Sequence, residues 1–173
     1  MTEVDKAALV WRDLCDEAAT AALAKQIAPL LRAGDWLAME GDLGAGKTAF
    51  TRALVNALPR AGDIGSQGGQ AEEVPSPTFT LVQIYPRDPA SLWHFDLYRL
   101  EDPEEVFELG LDQALAEGIV VIEWPSRLAD WRDRLLRGDG LTLCLEFAKE
   151  PSGRRMSIKG AGRWAELCQR LGE

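Results

Sequence analysis

A layered α/β domain, with a mostly parallel central sheet, helices on both faces and antiparallel late strands, is the fold that this sequence predicts. Short apolar runs alternate with helical periodicities along the chain, which is the pattern of packed sheet and helix layers. One run, residues 119–122, is wholly apolar and β-branched, the composition of a strand covered on both faces of a parallel sheet. Another, residues 36–39, leads directly into a glycine-rich turn that opens a helix. A chain of 173 residues can close one well-buried core, so a single domain over 1–173 is expected.

Each element follows from local pattern. Residues 9–14 read as a short first strand. Asp16 then caps a helix whose apolar positions Ala19, Leu23, Ile27 and Leu30 recur at helical spacing, and Gly34 ends it. After strand 36–39, residues 47–58 read as a helix stopped by Pro59. From 61 to 70 the chain is glycine-rich and polar without periodicity, the mark of a mobile surface loop extending over about 60–74. Residues 79–85 and 92–97 are predicted strands, joined by a turn at Pro86 and Pro89. Helices are predicted over 103–109, 111–117 and 125–136, with strand 119–122 between the last two. Late strands at 141–147 and 155–159 and a closing helix at 162–171 complete the layout. No internal repeat is visible.

Composition narrows the function classes. Hydrophobic residues make up 46% and charged residues 27%, ordinary for a soluble globular protein. With 28 acidic against 19 basic residues and a formal charge of −9, a broad basic surface is disfavoured. Each phosphate contact to nucleic acid needs a cation, so nucleic acid is expected to bind this chain weakly and, if it belongs to the pathway, to be gripped by another subunit. The densest basic stretch, Arg127, Arg132, Arg134 and Arg137, reads as a solvated helix face paired with Asp130 and Asp133. Cys15, Cys144 and Cys168 are odd in number and lack C-x-x-C spacing, which fits a reducing cytoplasm rather than a zinc site or disulfide framework. The N-terminus has no signal-peptide pattern and no apolar run approaches transmembrane length, so no membrane is expected.

The chemistry is concentrated in Gly41, Asp42, Leu43, Gly44, Ala45, Gly46, Lys47 and Thr48, which match G-x-x-x-x-G-K-[ST] between a predicted strand and a predicted helix. Glycines let successive backbone N–H groups turn inward and form a cradle for phosphate oxygens. The following helix adds its positive N-terminal end. Lys47 supplies a point charge for the β- and γ-phosphates, and the Thr48 hydroxyl joins a magnesium shell. ATP and Mg2+ are the expected ligands, and a P-loop nucleoside triphosphatase sandwich is the expected form of the fold.

Two carboxylates follow apolar strands, Asp96 after 92–95 and Glu123 after 119–122. Ligands of open α/β sheets bind beyond the carboxyl ends of the strands, so both are expected to face the phosphates. Glu123 is assigned to magnesium and Asp96 to orienting the attacking water, against the simpler reading that each caps a strand end. His94 is the only histidine. Strand alternation puts it on the face of Asp96, and a structural role is expected, because phosphoryl transfer depends on positioning and charge more than on a strong base.

Four ordered blocks resemble the TsaE family, small bacterial ATPases required for threonylcarbamoyladenosine formation on tRNA: GDLGAGKT at 41–48, SPTFTLV at 76–82, HFDLYRL at 94–100 and EWP at 123–125. The resemblance implies that Thr78 lies in a switch-like loop that senses the γ-phosphate and magnesium. It further implies that Asp96 and Glu123 are needed for hydrolysis, that Trp124 flanks the nucleotide and that Arg154 contacts it. It also implies partners of the TsaB and TsaD type, with the transfer chemistry residing in TsaD. Ala49 departs from the family pattern, where a second hydroxyl residue is common. Its backbone N–H still serves the α-phosphate, and a modest loss of affinity is expected. The 61–70 loop is longer than the family usually carries. A P-loop kinase acting on a small metabolite is the main alternative, although the acidic stretch 101–108 disfavours the arginine-bearing lid such an enzyme uses. A nucleotide-gated binding module would use the same parts.

Overall fold

The structure is a computed structural model and describes residues 8–62, 71–148, 153–160 and 163–172. Strands β1 (Ala8–Leu14), β2 (Trp36–Glu40), β3 (Val82–Tyr85), β4 (Leu92–Asp96), β5 (Ile119–Glu123), β6 (Gly140–Phe147) and β7 (Arg154–Gly160) form a sheet in the order β1-β7-β6-β2-β5-β4-β3. The central neighbours β6, β2, β5 and β4 run parallel. At one edge β3 pairs antiparallel with β4; at the other, β7 runs antiparallel to both β6 and β1. The expected antiparallel late pair is therefore present beside a parallel core of four strands.

Helices α1 (Glu17–Ile27), α2 (Lys47–Ala57) and α6 (Arg163–Gly172) cover one face of this sheet, and α3 (Glu105–Glu108), α4 (Leu111–Glu117) and α5 (Arg132–Leu135) belong to the other. Strand β5 shows how the layers divide. Ile119 and Val121 join the core with Ile27, Phe50 and Trp164, whereas Val120 and Ile122 join the core with Val106, Leu111 and Leu128. Every residue of β5 is buried, as a strand between two helical layers requires.

Local chemistry explains several boundaries. The Asp16 side chain accepts from Ala19 N at 2.7 Å and starts α1. That helix stops at Ile27, earlier than expected, and Pro29 continues it only as a 3-10 turn; Gly34, at φ +89°, lies in the connection to β2. The predicted strand at 79–85 begins only at Val82. Leu81, at φ +63°, donates its N–H to Pro77 O at 2.6 Å and closes a turn over 77–81 instead. The predicted helix 103–109 is a single turn, because the Asp102 side chain accepts from Glu104 N and delays the helix start. The predicted helix 125–136 is two short pieces broken at Ala129, whose φ of 46° and ψ of −126° no helix contains. Its arginines do not form the expected pairs along one face. Arg132 bonds Glu40 at 2.8 Å, and Arg134 lies over the Trp131 ring.

Of the 60–74 loop, residues 63–70 lie outside the described residues. Where the chain resumes it is fastened to α2: Glu72 N donates to Asn56 Oδ1 at 2.7 Å, Asn56 Nδ2 donates to Glu72 O at 3.1 Å, and Val74 is buried. The Glu72 carboxylate also pairs with buried Arg87.

Gly140 stands beside Trp36 where β6 and β2 pair. A Cβ on residue 140 would lie 2.2 Å from Trp36 Cε2, and the ring is held by Nε1 donating to Arg137 O at 3.0 Å. Gly140→Ala is expected to destabilise the protein by about 1–3 kcal/mol, the usual range for overpacking. Urea unfolding checks this, and unchanged stability would mean that the ring moves freely.

Candidate functional site

Three adjacent parallel strands bring the candidate site together. Their register sets Met39 beside Glu123 and Asp96 beside Glu123, so β2, β5 and β4 end side by side. The loop from Gly41 to Gly46 leaves β2 and enters α2 at Lys47. Gly41 has a φ of +137°, and a Cβ there would sit 2.4 Å from Leu145 O, so only glycine fits where the loop crosses β6. Gly44 and Gly46 also take positive φ and turn the loop over the helix N-terminus.

A cleft of about 460 Å³ lies over these strand ends, and Leu43, Gly44, Gly46, Lys47, Thr48 and Ala49 form its floor on the loop side. Ser76, Thr78, Asp96, Glu123 and Trp124 face it from the other elements. Lys47 Nζ donates to Gly41 O at 2.7 Å and Asp42 O at 2.9 Å, and lies 4.0 Å from the centre of the Trp124 ring. Burial lowers the Lys47 pKa from the ordinary lysine value, while the carboxylates of Glu123, Asp96 and Asp42 pull the other way. Ala45 is buried beneath the loop and does not line the cleft.

Glu123 is buried and held at both oxygens. Oε2 accepts from Thr48 Oγ1 at 3.2 Å, and Oε1 lies 2.8 Å from His94 Nε2. Asp96 is equally engaged. Its Oδ2 accepts from Ser76 Oγ at 2.6 Å and Thr78 Oγ1 at 3.1 Å, and its Oδ1 accepts from Tyr98 N at 3.1 Å. Pulling both hydroxyls onto one carboxylate, together with the Leu81 N–H to Pro77 O bond, holds residues 79–81 away from the extended form expected of them. Trp124, at φ +61°, turns the chain out of β5, and its ring packs 5.0 Å from that of Tyr98.

Arg154 lies on the far side of the loop from Lys47. Its guanidinium donates to Ala45 O at 3.1 Å and Gly44 O at 3.3 Å and rests over the Phe147 ring. It thus braces the loop from outside and borders a second hollow with Gly44, Gly46 and Ala49, rather than facing the first cleft.

The donor set fits a hard cation. Thr48 Oγ1 and Glu123 Oε2 are oxygens within 3.2 Å of each other. Among the described residues no group of three or more His, Cys, Asp or Glu forms an all-protein metal cage. One hydroxyl and one carboxylate suit magnesium, which keeps several waters and takes its remaining ligands from phosphate.

Comparison with known proteins agrees with the resemblance seen in the motifs. The family model described as "Threonylcarbamoyl adenosine biosynthesis protein TsaE" matches residues 14–156. The chain belongs to the TsaE family. A Rickettsia felis protein named tRNA threonylcarbamoyladenosine biosynthesis protein TsaE is 40% identical over 111 residues, which is 64% of this chain and 60% of that protein. The Bacillus subtilis protein of the same name is 34% identical over 165 residues, covering 94% of this chain and 93% of its own length. The chain thus spans about 60% of the length of the Rickettsia relative and nearly all of the Bacillus one. The crystal structure of Bacillus subtilis YdiB superposes with a TM-score of 0.67 at 25% identity, covering 98% of this chain and 96% of that one. The fold is accordingly that of the family, a three-layer α/β sandwich around the P-loop. No helix among the described residues is long and apolar enough to cross a membrane.

Sequence reasoning left out Ser76, His94, Tyr98 and Arg99 as site residues. All but His94 line the cleft, and His94 reaches Glu123 from behind. Ser76 sits two residues before Thr78, so a hydroxyl pair at i and i+2 was the available signal. Nothing local in the sequence says that His94 turns toward Glu123, because that contact crosses between two strands.

Proposed function

We propose that this chain is an ATP-binding and ATP-hydrolysing subunit required for threonylcarbamoyladenosine modification of tRNA. In this reading it acts in the cytoplasm on TsaB- and TsaD-type partners and leaves the transfer itself to them. One observation carries the proposal: Lys47, Thr48, Asp96 and Glu123 converge on a single cleft at the carboxyl ends of three adjacent parallel strands.

Each residue's part follows from where it stands. The loop amides and the N-terminus of α2 hold phosphate oxygens, and Lys47 exchanges its two carbonyl partners for them. Thr48 and Glu123 would hold Mg2+, which would neutralise charge on the nucleotide phosphates. Asp96 orients the attacking water and, through Ser76 and Thr78, ties the 76–81 segment to the state of the cleft. Trp124 walls the cleft beside Lys47. Arg154 keeps the loop in shape from its outer side, and so supports the nucleotide without lining the phosphate cleft.

The test is the rate of ATP hydrolysis with magnesium, measured with the purified protein alone and with candidate partner subunits. Slow turnover alone that rises when partners are added is the expected result, with inorganic phosphate as the product and little tRNA retained without partners. Phosphate transferred to a small metabolite would establish the kinase alternative. Absence of magnesium-dependent hydrolysis under both conditions would overturn the reading.

A further inference from the structure

Among the buried polar groups, His94 stands out because nothing in the proposed chemistry uses it. It is fully buried in β4, and its Nε2 lies 2.8 Å from Glu123 Oε1 while its Nδ1 has no hydrogen-bond partner. These two facts select a tautomer. An unpaired buried donor or acceptor costs about 1–3 kcal/mol alike, so the choice falls to the nitrogen that faces a partner. A proton on Nδ1 would also turn the bare Nε2 lone pair toward a carboxylate oxygen. The ring therefore carries its proton on Nε2 and donates it to Glu123.

We propose that His94 is a positioning residue: it clamps Glu123 Oε1 from within the sheet so that Oε2 stays aimed at Thr48 and at the cation the two residues share. The inference rests on the functional reading of Glu123 and Thr48 as magnesium-side groups. Its logic is geometric. Glu123 has two anchors, and one of them, Thr48 Oγ1, is needed elsewhere when it joins a cation shell. His94 is the anchor that remains. Behind it the chain is closed, since β4 is flanked by β3 and β5 and both His94 and Phe95 are fully buried. The imidazole thus has no room to follow the carboxylate outward. Hydrogen bonds of this kind to a ligating group commonly govern metal affinity or activity by about 10–100-fold.

Since His94 is the only histidine in the chain, its imidazole nitrogens give one unambiguous set of NMR resonances. In the nucleotide-free protein, long-range 1H–15N spectra are expected to show a protonated Nε2 and a bare Nδ1, with the Nε2 resonance shifting in Glu123→Gln. A bare Nε2, or an Nε2 signal indifferent to Glu123→Gln, would overturn the proposal without reference to activity. The second measurement is the magnesium dependence of ATP binding and hydrolysis. His94→Leu is expected to raise the half-saturating magnesium concentration about tenfold to a hundredfold while leaving ATP affinity in EDTA unchanged. His94→Gln, whose amide nitrogen reaches the place of Nε2, is expected to recover most of the loss. If His94→Leu does not fold, the spectra and the Gln variant still decide. Wild-type protein whose ATP binding ignores magnesium overturns the functional reading. A wild-type magnesium response that His94→Leu retains in full overturns the role of His94 alone.

Discussion

Lys47→Ala is expected to abolish ATP hydrolysis, with a fall of at least about a hundredfold to a thousandfold, the scale seen when one preorganised electrostatic donor is removed from a site of developing charge. Its ammonium is the cation that projects from the first residue of α2 into the cleft, with the N-terminal end of that helix directly behind it. The backbone amides of the loop remain, so nucleotide affinity should drop far less than turnover. The fold should survive. Among the described residues Lys47 bonds two loop carbonyls and the face of Trp124, and its removal also relieves the burial of a charge. Steady-state rates alongside a urea unfolding curve check both halves of this expectation. Hydrolysis at the wild-type rate would mean that the loop binds no phosphate in the manner proposed.

Glu123→Ala is expected to produce the next largest effect, and of a different kind. Turnover should fall and the magnesium requirement should rise about tenfold to a hundredfold, while ATP affinity measured without magnesium stays near wild type. The loop and Lys47 still hold the phosphates, but Thr48 then faces the cation without its carboxylate neighbour. The substitution also leaves the buried Nε2–H of His94 without an acceptor, so a stability loss of about 1–3 kcal/mol should accompany it. Titrating magnesium against rate, with thermal unfolding in parallel, separates the two. An unchanged magnesium requirement and an unchanged rate would remove Glu123 from the site.

Much of this arrangement was legible because local pattern and tertiary role coincide. The run 119–122 is buried on both faces, and its wholly apolar, β-branched composition is that of a strand so placed. Residues 41–48 announce a turn that needs glycine, and Gly41 indeed passes too close to Leu145 O for any side chain. What was not legible depends on long-range pairing. Residues 79–81 have the composition of a strand, yet two hydroxyls bonded to Asp96 and the Pro77–Leu81 bond hold them in a turn. Residues 125–136 keep a helical period, but Ala129 breaks the backbone and Arg132 reaches back to Glu40 at the foot of the P-loop. A period reports what a segment could do alone; it cannot report a bond to a residue far earlier in the chain. The turn of His94 toward Glu123 is hidden for the same reason, since the alternation of β4 places the ring on a face without naming its neighbour.

Asp96 sets an order of events by simple counting. A carboxylate offers about four lone-pair positions, and three here are already taken by Ser76, Thr78 and Tyr98 N. One position remains for a newcomer. Any visitor that requires two must first evict a hydroxyl, and the two hydroxyls belong to one short turn and touch each other at 2.7 Å. Eviction of one therefore tends to loosen both, and the turn closed by Pro77 and Leu81 goes with them. On the proposed function the carboxylate would act in this way as a latch shared by the cleft and the surface segment beside it: what one side took up, the other would relinquish. Two events that look separate along the chain, filling the cleft and freeing the turn, would then be successive strokes of the same latch.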